Sequence, residues 1–235
     1  MSMTPVSRAS AQPPLWQSFE SGDAEAQSVW RDWYGAPMRD GSLLRLPLRD
    51  YGEFAIAGFI ANQASFAVVD TLVGWIAQDV AGLNVEVVVG LPTIGHVVGA
   101  GVARALGHEN WVAVGSTRKL WYDEDLSVPT QSVTAPEHGR RMWLDPRLMD
   151  RLSGRRALLV DDVVSSGSSA RAGISLLQRA GVVPVALAIA MIQGEAWRQA
   201  WDARIPVYAA FSTPMFRRTE GGWQPDGAPP LEHYQ

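Results

Sequence analysis

The chain has 235 residues, 47% of them hydrophobic, with a formal net charge of −4 and no cysteine. That length and apolar share suit one sizeable α/β domain with additions. The acidic balance excludes a global basic field for nucleic acid, and the missing cysteines exclude a disulfide framework or a thiolate metal site.

Residues 1–15 are rich in Ser, Pro and Ala and read as a disordered or loosely attached arm without the apolar stretch of a signal peptide. From 16 to 50 the chain is aromatic but irregular, with Trp30, Trp33 and Tyr34 close together. Phe66, Val69, Val73, Ile76 and Val80 recur at three- and four-residue steps, which predicts an amphipathic helix closed by Gly82. A short buried strand is predicted over 85–89, a small-residue helix over 97–106 closed by Gly107, and a strand over 111–114. Strand and helix thus alternate, as in a parallel sheet with helices on both faces. The polar stretch 117–146 breaks this rhythm and reads as a long flexible loop, which in a compact domain is usually functional.

After that loop, Ala157-Leu158-Leu159-Val160 predicts a buried strand, and a helix follows from Ser168 or Ser169 to Ala180, with Gly181 just beyond it. A strand over 183–192, a short helix around 196–201 and a strand over 207–211 complete the alternation. A hairpin about Glu220-Gly221-Gly222 ends it. The apolar stretch 182–192 is too short to span a bilayer, so a cytoplasmic location is the default expectation.

The most informative segment is Asp161-Asp162-Val163-Val164-Ser165-Ser166-Gly167-Ser168-Ser169, between that strand and helix. A Gly/Ser loop at a helix N-terminus aims backbone N–H groups and hydroxyls at one point, which suits a phosphate. Two carboxylates beside an anion site would repel it unless they serve another part of the same ligand. Sugar hydroxyls and a hydrated Mg2+ are the natural candidates. The implied ligand is a phosphorylated ribose; the plainer alternative is a βα turn whose serines cap the helix.

These residues resemble, position by position, the phosphoribosyl-diphosphate (PRPP) motif of the type I phosphoribosyltransferases. The resemblance covers roughly 85–211 and implies a central, mostly parallel sheet with helices on both faces and a small variable hood. It implies that Asp161 and Asp162 hold the ribose hydroxyls, with Mg2+ bound indirectly through ligand or water, and that Val163 to Ser169 hold the sugar and its 5′-phosphate. Leu91, Pro92, Thr93, Ile94 and Gly95, at a strand's carboxyl end, would hold pyrophosphate or else form a tight turn without ligand; Leu91-Pro92 suits a cis bond. His96 is a weaker candidate at the same place.

Arg118 and Lys119, at the entrance of the long loop, suit the charge that grows on a diphosphate leaving group. Tyr122, Asp123, Glu124, Asp125, Glu137 and His138 are titratable groups within the loop, and Glu124 is taken as the candidate for proton transfer because it lies near the Arg-Lys pair. Ser165 stands where the hypoxanthine/guanine branch has an aspartate, so the chain is more similar to the adenine, xanthine and orotate branches. Val163 and Val164 could underlie a planar base, with Phe211, Phe216 or Trp223 as the opposite wall. The implied function is phosphoribosyl transfer from PRPP to a nucleobase-like nitrogen, in purine salvage, with Mg2+ as cofactor. A non-catalytic PRPP- or nucleotide-binding regulator is the alternative. The implied partners are PRPP and a nucleobase-like small molecule, with a homodimer as one assembly and neither nucleic acid nor membrane.

Overall fold

The computed structural model describes residues 14–22, 28–132 and 135–227. The predicted N-terminal arm lies outside these up to residue 13. The region read as irregular forms four strands, β1 (Phe19–Ser21), β2 (Trp33–Pro37), β3 (Ser42–Asp50) and β4 (Phe54–Ala57). Then come α1 (Phe66–Val80), β5 (Val87–Gly90), α2 (Gly95–Ala105), β6 (Val112–Ala113), β7 (Ser127–Ser132), β8 (Ala135–Trp143) and the single turn α3 (Met149–Leu152). The chain continues through β9 (Ala157–Val164), α4 (Ser168–Arg179), β10 (Ala186–Gln193) and β11 (Val207–Thr213) to the hairpin β12 (Met215–Thr219) and β13 (Gly222–Asp226).

Five strands form a wholly parallel sheet in the order β11-β10-β9-β5-β6. The chain builds outward from β5 to β6, then crosses back and continues through β9, so the winding direction reverses between β5 and β9. Ligands of such sheets bind at the carboxyl ends of the strands at that reversal. Alternation along β9 feeds two cores: Leu158 and Val160 pack with α1 and α2, whereas Ala157 and Leu159 pack with α4.

Ser65 caps α1 by accepting a hydrogen bond from Val68 N. The stretch Phe66–Leu83 is long and apolar enough to cross a membrane by composition. Yet Val68, Val69, Leu72, Val73, Ile76, Ala77 and Val80 are buried in the core, so α1 reads as a core helix.

Glycine sets how closely α2 approaches the sheet. A Cβ on Gly99 would lie 3.1 Å from Gly90 Cα, and one on Gly95 would lie 2.5 Å from Asp161 Oδ1 and 3.0 Å from Asp161 Cα. One helical turn apart, the two glycines let the helix backbone rest directly on β5 and β9.

Six other strands build an antiparallel sheet, order β1-β3-β4-β12-β13 with β2 on the free side of β3. It joins the two ends of the chain: Trp30 and Trp223 exchange backbone hydrogen bonds of 2.7 and 2.6 Å. This is the hood expected from the N-terminal region and the C-terminal hairpin. The three aromatic residues named for the opposite wall of a base site are, however, core residues. Phe211 and Phe216 are fully buried, Trp223 nearly so, and Tyr34 packs edge-on to Phe216 at 4.9 Å. Burial of these rings stabilises the core between the two sheets.

Residues 117–146 also differ from expectation. They carry the antiparallel pair β7–β8, in which Val128 faces Met142 and both are buried in the α4 core. Polar residues outnumber apolar ones along this segment, so its mean composition looks like that of a loop.

Gly99→Val should push α2 away from β5 and destabilise the fold by about 1–3 kcal/mol, the usual range for overpacking. Urea denaturation checks this, and an unchanged midpoint would contradict the close-packing argument.

Candidate functional site

The loops that follow β5 and β9 open at the winding reversal into one cavity of about 400 Å³. It is lined by Pro92, Thr93 and Ile94 from the first loop, by residues 161–170 from the second, and by Ser116, Thr130, Arg140, Arg141 and Met142. The parallel sheet supplies its floor and the β7–β8 hairpin one side.

In the second loop, Gly167 is the residue before α4 and has φ +75°, a left-handed conformation that glycine adopts without steric cost. A side chain there would also crowd Trp197, whose Cβ would lie 3.3 Å away. Gly167 has no side chain with which to cap α4, and the Ser166 hydroxyl accepts a long 3.4 Å hydrogen bond from Ser168 N. The N-terminus of α4 faces the cavity, where its amides and the helix dipole suit an anion. Arg171 Nη1 donates to Ser166 O at 3.0 Å and fixes the loop's shape from behind.

The two acids lie within β9, at the end of the strand. Asp161 is 5% exposed and Asp162 half-buried, and Asp161 Oδ1 accepts a 3.0 Å hydrogen bond from Asp162 N. Burial, and then the charge of Asp162, push the Asp161 carboxyl well above the usual carboxylate range. Burial pushes Asp162 up as well. Both groups resist ionisation until something donates hydrogen bonds or positive charge to them.

Ribose hydroxyls or a cation would do so. Among the described residues no three His, Cys, Asp or Glu side chains are grouped to hold a metal. The described residues by themselves therefore form no metal cage. Two adjacent carboxylates beside a phosphate loop do fit Mg2+ that arrives with a diphosphate, because this ion commonly takes one or two carboxylates plus phosphate oxygens.

Residues 161–169 all line the cavity, so the predicted ribose-phosphate set is brought together. The predicted pyrophosphate loop is divided. Pro92, Thr93 and Ile94 line the cavity, but Leu91 is fully buried, with its N–H donating to Val160 O at 2.9 Å, and Gly95 is the contact surface for Asp161. The loop's cis bond falls at Pro92–Thr93, one bond later than the proline preference suggests. His96 turns to Val114 O at 2.8 Å and to the Trp111 ring, away from the lining.

Arg118, Lys119 and Glu124 are exposed and stand outside the cavity lining. Arg118 pairs with Glu124 at 2.7 Å, with its guanidinium 5.5 Å from the Trp143 ring centre. Asp123 caps the short turn over 124–126, and Tyr122 packs near Trp143. The side chains of Glu137 and His138 lie outside the described residues. The cations that do line the cavity, Arg140 and Arg141, were missed by sequence reasoning. Their sequence carries no period-two signal, since Arg140 and Arg141 are followed by the two apolar residues Met142 and Trp143.

A doubly wound sheet with a phosphate-type loop and paired acids at its winding reversal defines a class of proteins that bind sugar phosphates. The chain matches the phosphoribosyl transferase domain over residues 59–208 and belongs to that family. It is 32% identical to the adenine phosphoribosyltransferase of Nocardioides sp. over 143 residues, 59% of this chain and 72% of that protein. It is also 32% identical to the amidophosphoribosyltransferase of Synechocystis sp. over 107 residues, 46% of this chain but only 21% of that much longer relative. Among solved structures, adenine phosphoribosyltransferase from Saccharomyces cerevisiae superposes with a TM-score of 0.56 at 20% identity, covering 70% of this chain and 94% of that one. The enzyme from Rhodothermus marinus gives 0.54 at 19% identity, over 77% and 94%. These structures share the fold.

Asp161→Asn should stabilise the ligand-free protein at neutral pH. The raised carboxyl makes the wild type lose stability as pH rises from the ordinary aspartate range through its folded-state value, a loss that asparagine does not suffer. Denaturation from pH 4 to 8 should show the variant's advantage growing with pH. An advantage that is absent or shrinks with pH would contradict the buried-acid argument.

Proposed function

We propose that this chain transfers the 5-phosphoribosyl group of PRPP to a nucleobase-like nitrogen, releasing pyrophosphate and leaving a 5′-mononucleotide. The observation that carries this is the convergence of Asp161, Asp162 and the loop Ser165–Ser169 on one cavity at the winding reversal.

The amides and hydroxyls of Ser165, Ser166, Gly167, Ser168 and Ser169 hold the 5′-phosphate. Asp161 and Asp162 accept hydrogen bonds from the ribose 2′- and 3′-hydroxyls, which offsets the cost of their burial. The diphosphate then lies toward Pro92, Thr93 and Ile94. When bound, Mg2+ supplies positive charge to the departing diphosphate. Transfer needs no protein nucleophile, because the chain acts through positioning and preset electrostatics. Holding the sugar by both its phosphate and its hydroxyls fixes C1′ in line with the incoming nitrogen.

Ser165 cannot serve as a carboxylate base, and the resemblance to an adenine phosphoribosyltransferase supports a purine of that kind as acceptor. A cytoplasmic setting and a homodimer belong to the same reading.

Incubation with PRPP, Mg2+ and a panel of bases tests the proposal through pyrophosphate release. Release with one base supports it, whereas PRPP binding without release across the panel would favour a regulator. Asp162→Asn should lower kcat/KM about 10- to 100-fold, the scale of one charge-assisted hydrogen bond. Unchanged turnover would remove the ribose assignment.

A further inference from the structure

A phosphate loop works only if its backbone N–H groups, rather than its carbonyls, face the anion. In a trans peptide the two groups point to opposite sides, so whatever holds the carbonyl also aims the N–H. One residue does this twice in the loop that begins α4.

Arg171 Nη1 donates to Ser166 O at 3.0 Å, and Arg171 N donates to Gly167 O at 2.9 Å. Two consecutive carbonyls are thereby drawn to the side of α4. Both peptides are trans, since among the described residues the cis bond falls at Pro92–Thr93. The N–H groups of Gly167 and Ser168 accordingly point the other way. Gly167 and Ser168 line the cavity, whereas Arg171 stands outside its lining.

The guanidinium lies against the back of the glycine. A Cβ on Gly167 would lie 2.9 Å from Arg171 Nη1 and 3.3 Å from Trp197 Cβ. Ser166 is also tied by its side chain, whose hydroxyl donates to Ser168 Oγ at 3.1 Å. Among the described residues no backbone acceptor takes the Gly167 N–H. The bond from Arg171 N belongs to the helix and survives any substitution there, but the bond to Ser166 O needs the guanidinium. Without it the peptide before Gly167 can turn with little steric resistance, which would bring a carbonyl to face the anion.

We propose that Arg171 is a positioning residue for phosphate binding: its guanidinium holds Ser166 O and so aims the Gly167 N–H into the cavity. The proposal rests on the phosphoribosyl reading. Charge adds to geometry here, because a hydrogen bond from a cation polarises the peptide and makes its N–H a stronger donor.

Calorimetry with ribose 5-phosphate compares wild type, Arg171→Met and Arg171→Lys. Melting temperatures check the fold, and NMR of glycine-labelled protein follows the Gly167 amide. Methionine keeps an apolar stem against Gly167 and Trp197 but has no donor, whereas lysine keeps donor and charge. Arg171→Met should weaken ribose 5-phosphate about tenfold, the scale of one hydrogen bond. The downfield shift that the ligand causes at the Gly167 amide proton of the wild type should shrink with it. Arg171→Lys should recover part of both. A purely structural role would lower the melting temperature but leave the affinity and the amide shift of the folded protein unchanged, and that result would overturn the proposal. Weaker binding with the Gly167 shift undiminished would overturn it too. Should the wild type itself bind no ribose 5-phosphate, the phosphoribosyl reading falls and this proposal with it.

Discussion

Two carboxylates closing an otherwise apolar strand are the constraint around which this protein is organised. β9 runs from Ala157 through Val160 as core and then places Asp161 against the backbone of Gly95, where a Cβ would lie 2.5 Å from its Oδ1. That contact removes water from the carboxyl and raises its proton affinity. A buried acid with no basic partner is a standing cost, and proteins tolerate such costs at sites where a ligand offsets them. The glycines of α2 make the arrangement possible, because they let the helix lie on the sheet and bring residues 92–94 beside the acids.

Much of the parallel half was legible in the sequence because its signals are local. The three- and four-residue steps of Phe66 to Val80 mark α1, though it ends just short of the expected Gly82, and the apolar run into Asp161 followed by a Gly/Ser loop marks β9, the phosphate loop and α4. In both, neighbours in sequence meet the same environment. The antiparallel half was less legible because its partners are distant. β3 carries Leu44, Leu46 and Leu48 in alternation with Arg45 and Arg49, but Pro47 interrupts the pattern, and its partners include β1, β2 and β4. Trp30 bridges to Trp223, far along the chain, as well as packing on its neighbours Trp33 and Tyr34.

The site shows the same division. Residues 161–169 could be assigned by order alone, since one strand-turn-helix supplies them all. The cations could not. Arg118 and Lys119 follow a strand in sequence, which places them near the site in one dimension, but Arg118 pairs with Glu124 at the protein surface. Arg140 reaches the cavity only through the pairing of β8 with β7, a fact of register that composition does not carry.

A crystal structure of the protein soaked with ribose 5-phosphate tests most directly whether the winding reversal grips a phosphorylated pentose. The account predicts phosphate oxygens within hydrogen-bond distance of the amides of Ser165 to Ser169, and the 2′- and 3′-hydroxyls on Asp161 and Asp162. An ordered sugar phosphate whose hydroxyls face away from both acids, or one seated elsewhere on the protein, would contradict it.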